Sequence, residues 1–432
     1  MSNELVGLAG ILVLFVLLFV RVPIGIALIT VSVIGISIIT KFKVAASLLQ
    51  TVPYTFVATW TMSSIPMFLF MGYLCFHAGI TTGIFRAARH FLNRAPGGLA
   101  VASIFGCAGF AAVTGSSVAC AAAMGRIAIP EMQKNRYDPA LSTGTLAAAG
   151  TIGALIPPSI LMIIYGTIAQ VSIVKLFAGG VALGLLTAFI YIGTVMIRVW
   201  LNPALAPKLD HHDREPALSV LLETWPLMLL LAGVFGGLFL GFFTPTEAGA
   251  VGATLSLLVA MLKRSLRFEV LKSAVLETLV TTSAIIIITV GASLFTRLMA
   301  LSGISGALQQ FVGIWGLDPI SVMFGIAIVY LLLGMFLEPI GAMLITLPIF
   351  MPLVTMAGYD LIWFGIIVTK FLEVGMITPP VGLNVFVIKN VVGDSISMTT
   401  IFRGIIWFFV ADLILIAACV IWPGIIMWAI PG

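Results

Sequence analysis

The chain has 432 residues, of which 61% are hydrophobic and 9% charged, with a mean hydropathy of +1.21. Soluble domains carry roughly 25% charged residues, so 21 Lys and Arg with 16 Asp and Glu cannot clothe a soluble particle of 45.8 kDa. Secreted, nuclear and cytosolic readings fall away, as does nucleic-acid binding, and the net charge of +5 reads as membrane topology.

The N-terminal MSNELVGLAG lacks a basic n-region and a small-residue cleavage site, so the first apolar run is predicted to be a span and not a signal peptide. A spanning helix needs about 20 mostly apolar residues. Ten spans are predicted, at about 5–20, 23–40, 53–76, 140–169, 175–200, 224–243, 247–262, 274–298, 361–388 and 404–430. Two further apolar blocks, 98–129 and 318–357, are interrupted near their middles by Gly, Pro or small residues and read as re-entrant hairpins of two half-length helices. The four cysteines (Cys75, Cys107, Cys120, Cys419) lie in apolar runs without metal spacing and read as small buried hydrophobes. Residues 201–223 are the one long polar stretch; their His211-His212 with Asp210 and Asp213 read as a solvated loop and not as a metal site.

The second half of the chain repeats the first at one offset. Pro23 matches Pro245, Pro130 matches Pro352 (352 − 130 = 222), Tyr137-Asp138 matches Tyr359-Asp360, and Pro157-Pro158 matches Pro379-Pro380. Gly153 matches Gly375 and Trp200 matches Trp422. Proline and glycine fix backbone geometry, so their coincidence reports shared shape. The expected organisation is a first repeat over 1–200, a linker over 201–223 and a second repeat over 224–432. Each holds five spans plus one hairpin, and the odd number of crossings inverts the second copy.

Charge sets the orientation. Arg86, Arg89 and Arg94, and Lys263, Arg264, Arg267 and Lys272, form the richest basic segments and belong inside. The counterpart of the first, residues 308–316, carries no charge, as expected on the opposite face. Both termini then fall outside the cytoplasm. Inverted repeats with interrupted helices are the architecture of secondary transporters, with sites near the midplane where the repeats meet.

Candidate chemistry gathers at the interruptions. Proline lacks the N–H that bonds the carbonyl four residues back, so Pro157 and Pro158 are predicted to free the carbonyls of Gly153 and Ala154. Pro379 and Pro380 are predicted to do the same for Gly375 and Met376. Such carbonyls suit a small cation such as Na⁺; a simple kink is the structural alternative. The first hairpin tip, Thr114-Gly115-Ser116-Ser117-Val118, offers hydroxyls to a cation or an anion, or else packs helices. The second, Gly334-Met-Phe-Leu-Glu338-Pro339, puts Glu338 opposite Ser116 (338 − 222 = 116). Glu338 reads as a cation or proton ligand, as part of a polar pocket, or as a cap on the second hairpin arm. Lys370 and Glu373 are expected to neutralise each other, Asp412 to stand alone in the last span, and Glu247 to sit at a helix N-terminus. With no GxxxxGK[ST] loop and no paired membrane histidines, direct use of ATP and haem chemistry are set aside.

At the segments TGSSVACAAAMGRIAIPEM, AAAGTIGALIPPSILMIIYG and GMITPPVGLNVFV the chain resembles the large membrane subunit (DctM type) of tripartite ATP-independent periplasmic (TRAP) transporters, over essentially its whole length. The resemblance implies an all-α polytopic membrane protein of the elevator-type ion-transporter fold, a secondary active transporter and not an enzyme. It implies sodium-driven import of an organic acid, such as a dicarboxylate or sialic acid, across the bacterial inner membrane. The implied partners are a periplasmic substrate-binding protein and a separate small four-helix membrane subunit. No cofactor is implied beyond Na⁺ as coupling ion. Residue by residue, the first sodium site would be Gly115, Ser116, Ser117, Gly153 and Ile156, and the second Gly334, Leu337, Gly375, Thr378 and Pro379. The solute would meet Ser117, Pro158, Ser159, Glu338, Pro380 and Asn384. Family members often have Asp where this chain has Glu338. The competing readings are a stand-alone sodium–anion symporter and a channel or structural membrane subunit.

Overall fold

The computed structural model describes residues 2–92, 95–207 and 216–430, and among these the regular secondary structure is all helical. Arg94, Lys208, Arg214 and the His211-His212 pair lie outside the described residues. In apolar surroundings a helix satisfies its own backbone, which is why these Leu-, Ile- and Val-rich segments coil.

The first half runs α1 (Asn3–Phe19), α2 (Ile24–Ile39), α3 (Phe42–Val57), α4 (Ser64–His77) and α5 (Thr82–Leu92). It continues through α6 (Gly98–Thr114), α7 (Ser117–Lys134), α8 (Pro139–Gly150), α9 (Ile160–Ala169) and α10 (Ile173–Leu201). The second half begins with the short α11 (Ala217–Leu222), α12 (Trp225–Leu231) and α13 (Gly237–Phe239), the last two joined by a π-helical turn. Then come α14 (Pro245–Leu262), α15 (Phe268–Ser302), α16 (Ile304–Ile314), α17 (Pro319–Gly334) and α18 (Pro339–Met356). The chain closes with α19 (Leu361–Gly375), α20 (Leu383–Val392), α21 (Met398–Ile421) and α22 (Gly424–Met427). Helices α5, α7 and α8 start 222 residues before α16, α18 and α19 (339 − 117 = 222 for the middle pair).

The interrupted blocks fold back on themselves. Cys120 Sγ reaches the Cys107 carbonyl across α6 and α7 at 3.5 Å, and Thr346 bonds Tyr330 across α17 and α18 at 2.7 Å. Among the described residues five helices are long and apolar enough to cross a membrane alone: α10, α14, α15, α18 and α21. The span expected at 53–76 is not one straight helix: α3 and the segment Trp60–His77 meet at 61° and are long and apolar enough to cross only as a bent pair. The break falls at the extended Thr59, from which the 3-10 turn Trp60–Ser63 starts. At the offset of 222, Pro53 becomes Val275 and Pro66 becomes Ile288, and there α15 runs unbroken for 35 residues.

Packing defines two bodies. In one, α2 lies along α15 and α4 packs on α14 and α15. In the other, α7 and α21 pack on α8, α20 on α7, and α17 on α19. They meet where α15 touches α18 and α4 touches α6. All four cysteines are buried, and Glu247 closes a capping box with Thr244 at the start of α14.

Candidate functional site

The first hairpin tip is built by its cap residues. Gly115 ends α6 in the left-handed region (φ +59°), and the Ser116 side chain accepts the Ala119 N–H at 3.4 Å to start α7. A Cβ on Gly115 would collide with the Pro158 carbonyl oxygen, and one on Gly153 would stand 2.8 Å from the Ser116 carbonyl oxygen. Glycine at both positions lets the tip lie backbone to backbone on the broken helix. The structure thus brings Gly115, Ser116, Ser117 and Gly153 together. Ile156 sits in the same break, its side chain against Gly184 of α10.

The second tip repeats the construction. Glu338 caps α18, accepting the Gly341 N–H at 3.2 Å, with Pro339 in the first turn. Leu337 closes the end of α17 through its N–H to the Leu333 carbonyl at 2.8 Å. A Cβ on Gly375 would come 2.6 Å from the Gly334 Cα, so these two glycines are in direct backbone contact. Thr378 lies just beyond, its hydroxyl on the Val374 carbonyl at 2.6 Å, and Pro379 follows. The Pro157-Pro158 and Pro379-Pro380 bonds are both cis.

The breaks differ in how they treat their carbonyls. Among the described residues no N–H donates to the carbonyl of Gly153 or Ala154, as the proline argument requires. In the second break that expectation is corrected: Gly375 accepts the Thr378 N–H at 3.1 Å and Met376 accepts the Asn384 N–H at 3.0 Å. The chain there turns back tightly enough for other amides to replace those the prolines lack. Each carbonyl keeps a second lone pair.

Between the tips lies a cavity of about 540 Å³. Its polar wall is formed by Ser116, Ser117, Glu338 and Glu373, and its apolar wall by residues of α2, α4, α9 and α15. Tyr73 and Thr281, bonded at 2.8 Å, tie α4 to α15 on the same wall. Among the described residues no Lys, Arg or His lines it. Four of the residues expected at the solute do not line this cavity. The Pro158 carbonyl abuts Gly115, Ser159 caps α9 through the Met162 N–H, and Pro380 is exposed. Asn384 is buried with its Nδ2 on the Ala147 carbonyl at 3.3 Å, its Oδ1 unpartnered.

The buried charges are paired differently from the sequence expectation. Lys370 does not neutralise Glu373; its Nζ donates to Asp412 Oδ1 at 2.5 Å, so Asp412 does not stand alone either. The Tyr191 hydroxyl donates to Asp412 Oδ2 at 2.6 Å and lies 3.3 Å from the Thr151 hydroxyl. Lys370 also stands 5.4 Å above the Tyr191 ring. The network joins the first break, through Thr151, to the second broken helix, through Lys370. Glu373 is held instead by Ser117, whose Oγ donates to Oε2 at 2.5 Å. Sequence reasoning missed Tyr191 and Thr151. The available signal was a phenol in the middle of an otherwise apolar span.

Comparison with known proteins shows what the chain as a whole is similar to. Residues 11–425 match the family model described as "Tripartite ATP-independent periplasmic transporter, DctM component". The chain is 37% identical over 343 residues to the C4-dicarboxylate TRAP transporter large permease protein DctM of Pseudomonas aeruginosa, covering 79% of each chain. It is 28% identical to the sialic acid TRAP transporter permease protein SiaT of Haemophilus influenzae, covering 96% of this chain and 67% of that one. Among solved structures, the Alcanivorax borkumensis YdaH transporter superposes with a TM-score of 0.63 at 12% identity, over 90% of each chain, a likeness of fold.

Proposed function

Because this chain belongs to the DctM component family of tripartite ATP-independent periplasmic transporters, we propose that it is the large membrane subunit of a sodium-coupled, binding-protein-dependent importer of an organic acid. The names of its relatives suggest the solute class, a C4-dicarboxylate or a sialic-acid-like carboxylate. One observation carries the coupling. The cavity between the tips is walled by two carboxylate residues, Glu338 and Glu373, and, among the described residues, by no cationic side chain. An organic anion entering so apolar a space meets like charge and loses its hydration, so cations must accompany it.

The tips and breaks supply the oxygens for those cations. Gly115, Ser116, Ser117, Gly153 and Ile156 form the first sodium site, and Gly334, Leu337, Gly375, Thr378 and Pro379 the second. Sodium at these places orders the tips and offsets solute charge, so each ligand raises the affinity for the other by the same factor. The body holding both hairpins slides against the α2–α4–α14–α15 body in an elevator cycle of alternating access. The inverted repeats over 1–200 and 224–432, joined by a cytoplasmic linker at 201–223, supply its two-sided symmetry. The chain works in the bacterial inner membrane with both termini periplasmic, beside a small membrane subunit, and needs no cofactor beyond Na⁺.

Reconstitution in proteoliposomes tests this. Uptake of a labelled organic acid is expected only with an inward sodium gradient and with the binding protein present; uptake without that protein would make the chain a stand-alone symporter. Ser117→Ala is expected to raise the sodium concentration for half-maximal uptake about tenfold, equivalent to about 1.4 kcal/mol, and Thr378→Val less. Unchanged sodium dependence in both variants overturns the site assignment.

A further inference from the structure

We propose that Glu373 is itself a cation ligand, so that one sodium ion is held at the cavity wall by a full carboxylate and not by carbonyls and hydroxyls alone. The inference rests on the sodium-coupled reading and adds a charged ligand to it. Glu373 is 1% exposed, and it borders the cavity. Its Oε2 takes the Ser117 hydroxyl, while Oε1 has no hydrogen-bond partner. Buried polar atoms are normally satisfied, and an orphan marks a missing partner. The nearest candidate along its own helix, Lys370, is committed to Asp412, which is further held by Tyr191. Glu373 therefore has an open oxygen and, among the described residues, no ion-pair partner of its own, in surroundings where an uncompensated carboxylate is strongly destabilising.

A compact, hard cation suits the unpartnered Oε1, since such ions take oxygen ligands. Ser117 Oγ, having given its hydrogen to Oε2, keeps lone pairs for the same ion. Glu373 thereby links the first hairpin tip to the solute space. A sodium ion there faces an incoming carboxylate across a wall otherwise devoid of positive charge.

Binding of radioactive sodium to the purified full-length chain with its membrane partner tests the proposal. Glu373→Gln keeps the shape and an oxygen acceptor for Ser117 but removes the charge. It is expected to bind one sodium ion fewer per chain than wild type. Glu373→Asp is expected to keep the count with at least tenfold weaker affinity. An unchanged count and affinity in Glu373→Gln overturns the proposal, as it would if the group were simply protonated. Should Glu373→Gln fail to purify as a folded complex, unchanged sodium affinity in Glu373→Asp overturns it equally. A wild type that binds sodium at the breaks while both variants match it leaves the sodium-coupled reading standing and removes only Glu373. A wild type that binds no sodium removes both.

Discussion

The two helix breaks carry the same Pro-Pro pair, the same cis bond and a glycine pressed against a hairpin tip, yet they settle their backbones differently. In the first, Gly153 and Ala154 keep open carbonyls beside the Ser116–Ser117 tip. In the second, Gly375 and Met376 are closed by the amides of Thr378 and Asn384, and Pro379 and Pro380 reach the surface. Side chains sharpen the contrast. The Ser117 hydroxyl crosses to Glu373 on the other broken helix, whereas the Thr378 hydroxyl bonds back to its own. Shared punctuation gives shared shape, but the ligands on offer depend on what the chain does within a few residues of the prolines.

The largest expected effects come from filling the tip–break contacts. Gly115→Ala, with a positive φ and the Pro158 carbonyl in the way, and Gly375→Ala, with the Gly334 backbone in the way, are both expected to reduce uptake to background. Gly313→Ala, where a Cβ meets nothing within 4 Å, is the control and is expected to transport normally. Full activity in Gly375→Ala alone would show that only the first break needs its tight backbone contact.

Next is the charge network that ties the breaks together. Lys370→Met leaves Asp412 buried without its cation and is expected to cost about 3–5 kcal/mol, read as a fall in Tm of the detergent-purified protein. Adding Asp412→Leu is expected to restore most of that loss. Equal destabilisation in the single and double variants would mean that the pair is not the link between the breaks.

The smallest effect separates two residues at matching positions. Tyr137, whose phenol is kept neutral by burial, accepts the Leu99 N–H at 3.3 Å, whereas Tyr359 stacks on Trp363 with centroids 4.7 Å apart. Tyr137→Phe is expected to loosen the first turn of α6 by about 1 kcal/mol, seen as faster hydrogen exchange at Leu99. Tyr359→Phe is expected to be neutral.

The helices, both hairpins and their tips were legible because each rests on local chemistry: runs of apolar residues, glycine at a left-handed turn, proline at a break, a capping Ser or Glu. The bend between α3 and α4 was not: composition alone read 53–76 as one span, and the break sits at Thr59 with no glycine or proline beside it. The charge pairing was not legible. Lys370 and Glu373 are three apart on one helix, which suggests mutual neutralisation. Which of them meets Asp412 depends on how α19 rotates against α21, and that is decided by packing across 42 residues of chain. The Ser117–Glu373 bond spans 256 residues and depends on two broken segments docking together. Nothing local to either residue announces it.

Helix length has a consequence for the lipid. The 35 residues of α15 extend about 52 Å at 1.5 Å per residue, while the 17 of α1 and 16 of α2 reach only about 25 Å. A typical hydrocarbon core is about 30 Å thick; the uncharged stretch of α15 between Glu277 and Arg297 matches it at about 28 Å, so the charged end of α15 reaches beyond the lipid, whereas its packed neighbours α1 and α2 fall short. Along the α1–α2 edge a bilayer of that thickness thins or draws polar flanks toward its core, at a cost that grows with thickness mismatch. The membrane is thus a mechanical component of this protein.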